Sequence, residues 1–148
     1  MFRRTSLRQK QTPIHPGRHA VNDKELLRAA QKAREKGYAP YSNYRVGAAL
    51  LTKAGRMFTG ANVENASYGL SVCAERVAAF QAVAEGEREF AAIAVVTENG
   101  VTPCGACRQV LSEFGPNMRV LVGDTKGNSR EYSIRDLIPD VFTPADLK

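Results

Sequence analysis

Apolar positions recur with helical spacing between Asn22 and Lys36, where Leu26, Leu27, Ala30 and Ala33 share one side, Asn22 or Asp23 can cap the start, and Gly37 ends the run. Polar and turn-forming residues from Tyr38 to Asn43 then predict a loop. The pattern shifts to strand type over Tyr44 to Thr52, turns at Ala54 and Gly55, and returns antiparallel over Met57 to Val63. A second loop over Asn65 to Val72 precedes an alanine-rich helix, Ala74 to Ala84, which carries Val77, Phe80 and Val83 and is stopped by Gly86. Phe90 to Thr97 reads as a buried strand. Thr102 as cap and Pro103 in the first turn predict a helix running to Phe114, closed by Gly115 and Pro116. Arg119 to Val122 and Arg130 to Ser133 predict two more strands, and Ile134 to Leu137 a short helix. An antiparallel pair followed by βαβ crossovers predicts an α/β fold: a three-layer sandwich with a mixed five-stranded sheet and helices on both faces.

The 148 residues suit one domain with its own core, and the 43% hydrophobic content argues against disorder. The longest apolar stretches, such as Val46 to Leu51, are far shorter than the roughly 18 residues of a spanning helix, so no membrane partner is expected. The net charge of +6 raises the question of nucleic acid, but its distribution argues against it. Five of the 21 basic residues, Arg3, Arg4, Arg8, Lys10 and Arg18, lie within residues 1–20, which hold no acid. The remainder carries 16 bases against 15 acids and is close to neutral. Residues 1–20 therefore read as a basic, disordered tail and residues 21–148 as a single domain. An Arg-rich, acid-free tail also fits an organellar transit peptide, although Pro13 and Pro16 oppose a long amphipathic helix. His15 and His19 lie in this tail, where nothing would fix them as metal ligands.

Three cysteines, an odd number with no hydrophobic leader before the domain, predict a reducing, cytoplasmic setting with free or metal-bound thiols. Cys73 opens one predicted helix, and Cys104 and Cys107 fall in the first turn of another, three residues apart and so on one face. Unpaired amides at helix N-termini favour thiolates. A structural zinc site takes four protein ligands, whereas a catalytic one keeps a position open for water. Three Cys with no His in the body therefore predict an open site holding one Zn2+ per subunit. Glu75 is beside the site without being needed as a ligand, which suits a carboxylate that moves protons between water and a substrate nitrogen. Arg76 could donate to a thiolate and offset the negative charge of the sulfurs.

The segment from Cys73 to Glu75, with Pro103, Cys104 and Cys107, fits the [H/C]-x-E … P-C-x-x-C pattern of zinc-dependent nucleobase deaminases. Four stretches, YAPYSNYRVGAA at 38–49, GANVENASY at 60–68, CAER at 73–76 and PCGACRQ at 103–109, together resemble cytidine deaminase, and the similarity spans about residues 22–146. The resemblance implies the cytidine deaminase-like fold and hydrolysis of cytidine and 2′-deoxycytidine to uridine and 2′-deoxyuridine with release of ammonia, a step of pyrimidine salvage. It implies Cys73, Cys104 and Cys107 as zinc ligands and Glu75 as proton shuttle. Asn62 and Glu64 would grip the ribose 3′-hydroxyl, and the Ala74 backbone would contact the pyrimidine. Tyr44 stands where the family commonly has Phe lining the base pocket. Ala66 and Tyr68, and the aromatic Phe142, would reach the nucleoside from a neighbouring subunit. A Cys rather than His as first ligand is similar to the homotetrameric branch with shared active sites, and the small faces of Ala74, Ala78, Ala79 and Ala82 agree with close helix approach. The rivals are a deaminase of another aminopyrimidine such as blasticidin S, a polynucleotide editor, for which the neutral body lacks a basic groove, and a non-catalytic zinc-stapled binding module, which would leave Glu75 unexplained.

Overall fold

The computed structural model of the chain describes residues 20–148. The readings of the basic tail, His15 and His19 included, lie outside the described residues. Helix α1 (Asp23–Arg34) begins at a reciprocal cap: the Asn22 carboxamide accepts from the Glu25 N–H at 3.0 Å, and the Glu25 carboxylate accepts from the Asn22 N–H at 3.1 Å. Its buried face is Leu26, Ala30 and Ala33. Strands β1 (Gly47–Thr52) and β2 (Met57–Ala61) form the hairpin. Helix α2 (Ala74–Ala84), strand β3 (Phe90–Val96), helix α3 (Gly105–Phe114), strands β4 (Arg119–Gly123) and β5 (Ser129–Ser133) and helix α4 (Ile134–Leu137) follow.

The strands line up as β2-β1-β3-β4-β5, antiparallel except for the β3–β4 pair, which α3 joins in parallel. Period-two alternation splits the core into two layers. Ala48, Leu50, Ile93, Val95, Val120 and Val122 face α2, α3 and α4, together with Phe90, Leu111 and Met118. Ala49, Ala92, Ala94, Val96 and Leu121 face α1, where they meet Leu26 and Ala30. The mixed five-stranded sandwich expected from the sequence is the observed one.

At two of the boundaries that differ from the sequence pattern, a side chain intervenes. β1 starts at Gly47 rather than Tyr44, since the Asn62 carboxamide accepts from the Val46 N–H at 2.9 Å and donates to the Tyr44 carbonyl at 2.8 Å. An amide side chain thus stands in for the ladder. α3 is capped by Cys104, not Thr102, whose hydroxyl instead accepts from Arg108 at 2.8 Å. Ala74, Ala78, Ala79 and Ala82 of α2 are fully buried inside this chain, where their small faces allow the close approach of the helix to the sheet.

A glycine on β2 also allows this approach. A Cβ at Gly60 would lie 2.4 Å from the Ala74 carbonyl oxygen and 2.6 Å from the Ala78 nitrogen, both of them backbone atoms of α2. Gly60 therefore lets the first turn of α2 rest directly on β2. Gly60→Ala should destabilise the fold by on the order of 2–3 kcal/mol, the scale of overpacking a rigid contact. A urea unfolding midpoint equal to that of the wild type would contradict this packing.

Candidate active site

Cys73 is the N-cap of α2 and Cys104 the N-cap of α3, both with extended backbone and neither with a side-chain capping hydrogen bond. Their sulfurs are therefore free to turn toward a common point, where Cys107 in the first turn of α3 adds a third. The Sγ atoms of Cys73 and Cys104 are 3.8 Å apart and those of Cys104 and Cys107 are 3.6 Å apart. Three sulfurs at about 2.3 Å from a tetrahedral zinc would be separated by about 3.8 Å, which these two separations match, and all three sulfurs lie within 4.8 Å of one another. Among the described residues these three form the cluster able to hold a metal, and no fourth Cys, His, Asp or Glu joins it.

The charges around the cluster are ordered. The neighbouring Cys107 thiol, followed by Arg76 and Cys104, lowers the Cys73 thiol to about 5. The same contact with Cys73, together with burial, pushes the Cys107 thiol up. One thiolate is thus stabilised by a proton held on its neighbour, the behaviour of close like charges. Arg76 donates from its terminal nitrogen to the Cys73 sulfur at 3.4 Å, in the contact anticipated for it. Arg108 fixes the approach to Cys104 by donating to the carbonyls of Pro103 and Leu137, at 2.7 and 2.6 Å, and to the Thr102 hydroxyl.

Beside the sulfurs lies a cavity of about 330 Å³, within the range of small-molecule sites. Tyr44, Asn62, Glu64, Cys73, Glu75 and Cys104 all line it, so six of the residues singled out from the sequence converge on one space. Glu75 is only 4% exposed, and burial pushes its carboxyl up to about 7. A group in that position can hold a proton or give it up near neutrality. Glu64 is the opposite case. Its carboxylate accepts from the Ser42 hydroxyl at 2.6 Å and from the N–H groups of Tyr41 and Ser42 at 3.0 and 3.1 Å, and the Ser42 hydroxyl above all holds it below the usual carboxylate range. Glu64 is thus an ionised acceptor.

Ala74 is buried directly beside Cys73 and does not line the cavity. Ala66, Tyr68 and Phe142 are also away from it; Tyr68 is 74% exposed and packs edge-on against Tyr41 with ring centroids 5.7 Å apart. Ser42, Val46, Val72, Thr97 and Val101, which carry no site signal in the sequence, are also part of the wall. Arg108 carries none either, although it directly follows Cys107. Replacing Cys104 or Cys107 with Ala should leave the purified protein with less than about a tenth of the zinc that the wild type retains at one ion per chain. Metal analysis after gel filtration checks this, and undiminished zinc in either variant would remove that residue from the ligand set.

Residues 20–123 match the family model described as the cytidine and deoxycytidylate deaminase zinc-binding region. The chain is 50% identical over 125 residues to the cytidine deaminase of Halalkalibacterium halodurans, an alignment covering 82% of this chain and 95% of that protein. The crystal structure of cytidine deaminase from Burkholderia pseudomallei superposes with a TM-score of 0.80 at 54% identity, over 82% of this chain and all (100%) of that one. Blasticidin-S deaminase of Bacillus cereus is more distant, 31% identical over 112 residues that cover 69% of this chain and 79% of that protein. With the fold, the three-cysteine cluster and these relatives in agreement, the chain belongs to the zinc-dependent cytidine deaminase family.

Proposed function

We propose that the protein converts cytidine and 2′-deoxycytidine to uridine and 2′-deoxyuridine with release of ammonia, in pyrimidine salvage, within a reducing cytoplasmic compartment. The observation that carries this reading is the convergence of the thiol cluster, a buried carboxyl and a pair of polar groups, Asn62 and Glu64, on one cavity in a chain of this family. Zinc held by Cys73, Cys104 and Cys107 would supply a Lewis acid that lowers the pKa of water toward about 7.

The remaining work falls to the chain's own groups. Glu75 takes a proton from the attacking water and delivers it to N3 of the pyrimidine as the oxygen adds to C4. It then carries the second proton to the exocyclic nitrogen, which leaves C4 as ammonia while the C4 carbonyl forms. Burial of Glu75 beside Cys73 supports both transfers, because little water competes for the proton. Glu64 has three of its roughly four acceptor positions filled by the 41–42 loop, leaving one to accept from a sugar hydroxyl. Asn62 keeps one amide hydrogen after donating to Tyr44 and can donate to the same hydroxyl. The Tyr44 ring flanks the base.

The site is completed by a second copy of the chain. Ala66, Tyr68 and Phe142 belong to surfaces that do not face their own cavity, and Tyr68, Leu70, Phe80 and Phe142 leave large apolar side chains exposed. A homotetramer with shared active sites would cover them. No helix among the described residues is long and apolar enough to cross a membrane.

Glu75→Ala should lower kcat on cytidine about 10²–10⁴-fold, the ordinary scale of acid–base catalysis, while zinc content is unchanged. The loss of cytidine absorbance in the ultraviolet measures this, and near-full activity would remove Glu75 from the chemistry. Blasticidin S run in the same assay separates the two substrate classes, and cytidine is expected to be the faster. Sedimentation equilibrium should give four chains per particle. A monomeric mass accompanied by full activity would contradict the shared site.

A further inference from the structure

Tyr44 has two environments. Its ring lines the cavity beside Cys73 and Glu75, and the same residue borders a separate polar cleft formed with Glu98, Asn99, Asp124 and Lys126. The hydroxyl settles which way the polar end goes: it donates to the Asn99 carboxamide oxygen at 2.6 Å. The Tyr44 backbone is fixed as well, its N–H donating to the Ser42 hydroxyl at 3.0 Å and its carbonyl accepting from Asn62 at 2.8 Å. Asn99 lies on the loop that runs from the end of β3 to Cys104. Buried Thr97 stiffens that loop, its hydroxyl oxygen accepting from the Gly100 and Val101 N–H groups at 2.9 and 3.1 Å. Val101, Thr102 and Cys104 from the same loop form part of the cavity wall.

We propose that Tyr44 is a positioning residue for the nucleoside: its hydroxyl, bound to Asn99, latches the loop of residues 38–46 to the loop of residues 97–104 across the edge of the cavity. The inference rests on the nucleoside reading of that cavity. The two loops carry different parts of the site. One holds Ser42 against Glu64 on the sugar side, and the other leads into Cys104 on the metal side. The β1–β3 ladder ends at the Gly47–Val96 pair, three residues short of Tyr44 and of Asn99. The latch holds the two loops together beyond that end. It also spends the phenol's polar atom on the protein, so the ring presents its apolar face to the ligand. A phenylalanine at the same position would keep the ring and lose the latch.

The test is steady-state kinetics on cytidine with Tyr44→Phe, Asn99→Ala and the double variant, alongside zinc content and melting temperature. Each single change should raise KM about three- to tenfold, the range one ordinary hydrogen bond supports. The double variant should show no further rise, since both changes break the same bond. In all three, kcat should stay within about twofold and zinc should be retained. Unchanged KM with a lowered melting temperature would make the bond merely structural and overturn the proposal, as would KM effects that multiply in the double variant. Asn99→Ala, on an exposed loop, carries the test alone if Tyr44→Phe yields little folded protein. A zinc-loaded wild type that leaves cytidine untouched would overturn the nucleoside reading and this inference with it. Turnover by the wild type with KM unchanged in the variants overturns the latch alone.

Discussion

Three sulfurs held within 3.6 to 3.8 Å of their neighbours repel one another once ionised, and the structure depends on offsetting that repulsion. The fold does so by aiming the N-termini of two helices at one point. The partial positive charge of unpaired first-turn amides lies beside Cys73 on α2 and beside Cys104 and Cys107 on α3. Arg76 adds a full positive charge to the same side. The remaining demand is for a divalent cation, and the spacing of the sulfurs suits zinc.

Bringing two helix ends together is a packing problem before it is a chemical one. α2 approaches the sheet closely because its inner face is alanine and because β2 offers Gly60 beneath its first turn. α3 arrives by the parallel crossover between β3 and β4, and Arg108 ties its leading segment to the end of α4. The same packing that places Cys73 also buries Glu75 two residues later, and burial raises its carboxyl to about 7. A single geometric arrangement thus supplies the metal cradle and a buried carboxyl next to it. Asn62 and Glu64, at the end of the β hairpin, add polar groups to the wall of the same cavity.

Much of this was legible in the sequence because it depends on short spacings. Cys104 and Cys107 share a helix face whatever the rest of the fold does, and Cys73 and Glu75 are fixed relative to each other by the first turn of α2. The order of strands and helices predicted a mixed sheet with helices on both faces. The features that escaped depend on contacts across long stretches of chain. Ser42 and Glu64 are 22 positions apart, and Tyr44 and Asn99 are 55 apart, so no local pattern pairs them. The start of α3 was misplaced because Thr102 and Pro103 form a good cap signal, yet Arg108 draws the Thr102 hydroxyl away. The α2 alanines marked close approach, but their spacing does not say whether the neighbour is another subunit or the chain's own sheet.

The central claim is an open metal site: three cysteine sulfurs and one position left for water. X-ray absorption at the zinc edge of the purified protein reads the coordination shell directly. The account predicts three sulfur neighbours at about 2.3 Å and one lighter oxygen neighbour at about 2.0 Å. A shell closed by a fourth protein ligand, sulfur or imidazole, would contradict it and return the chain to the reading of a zinc-stapled binding module.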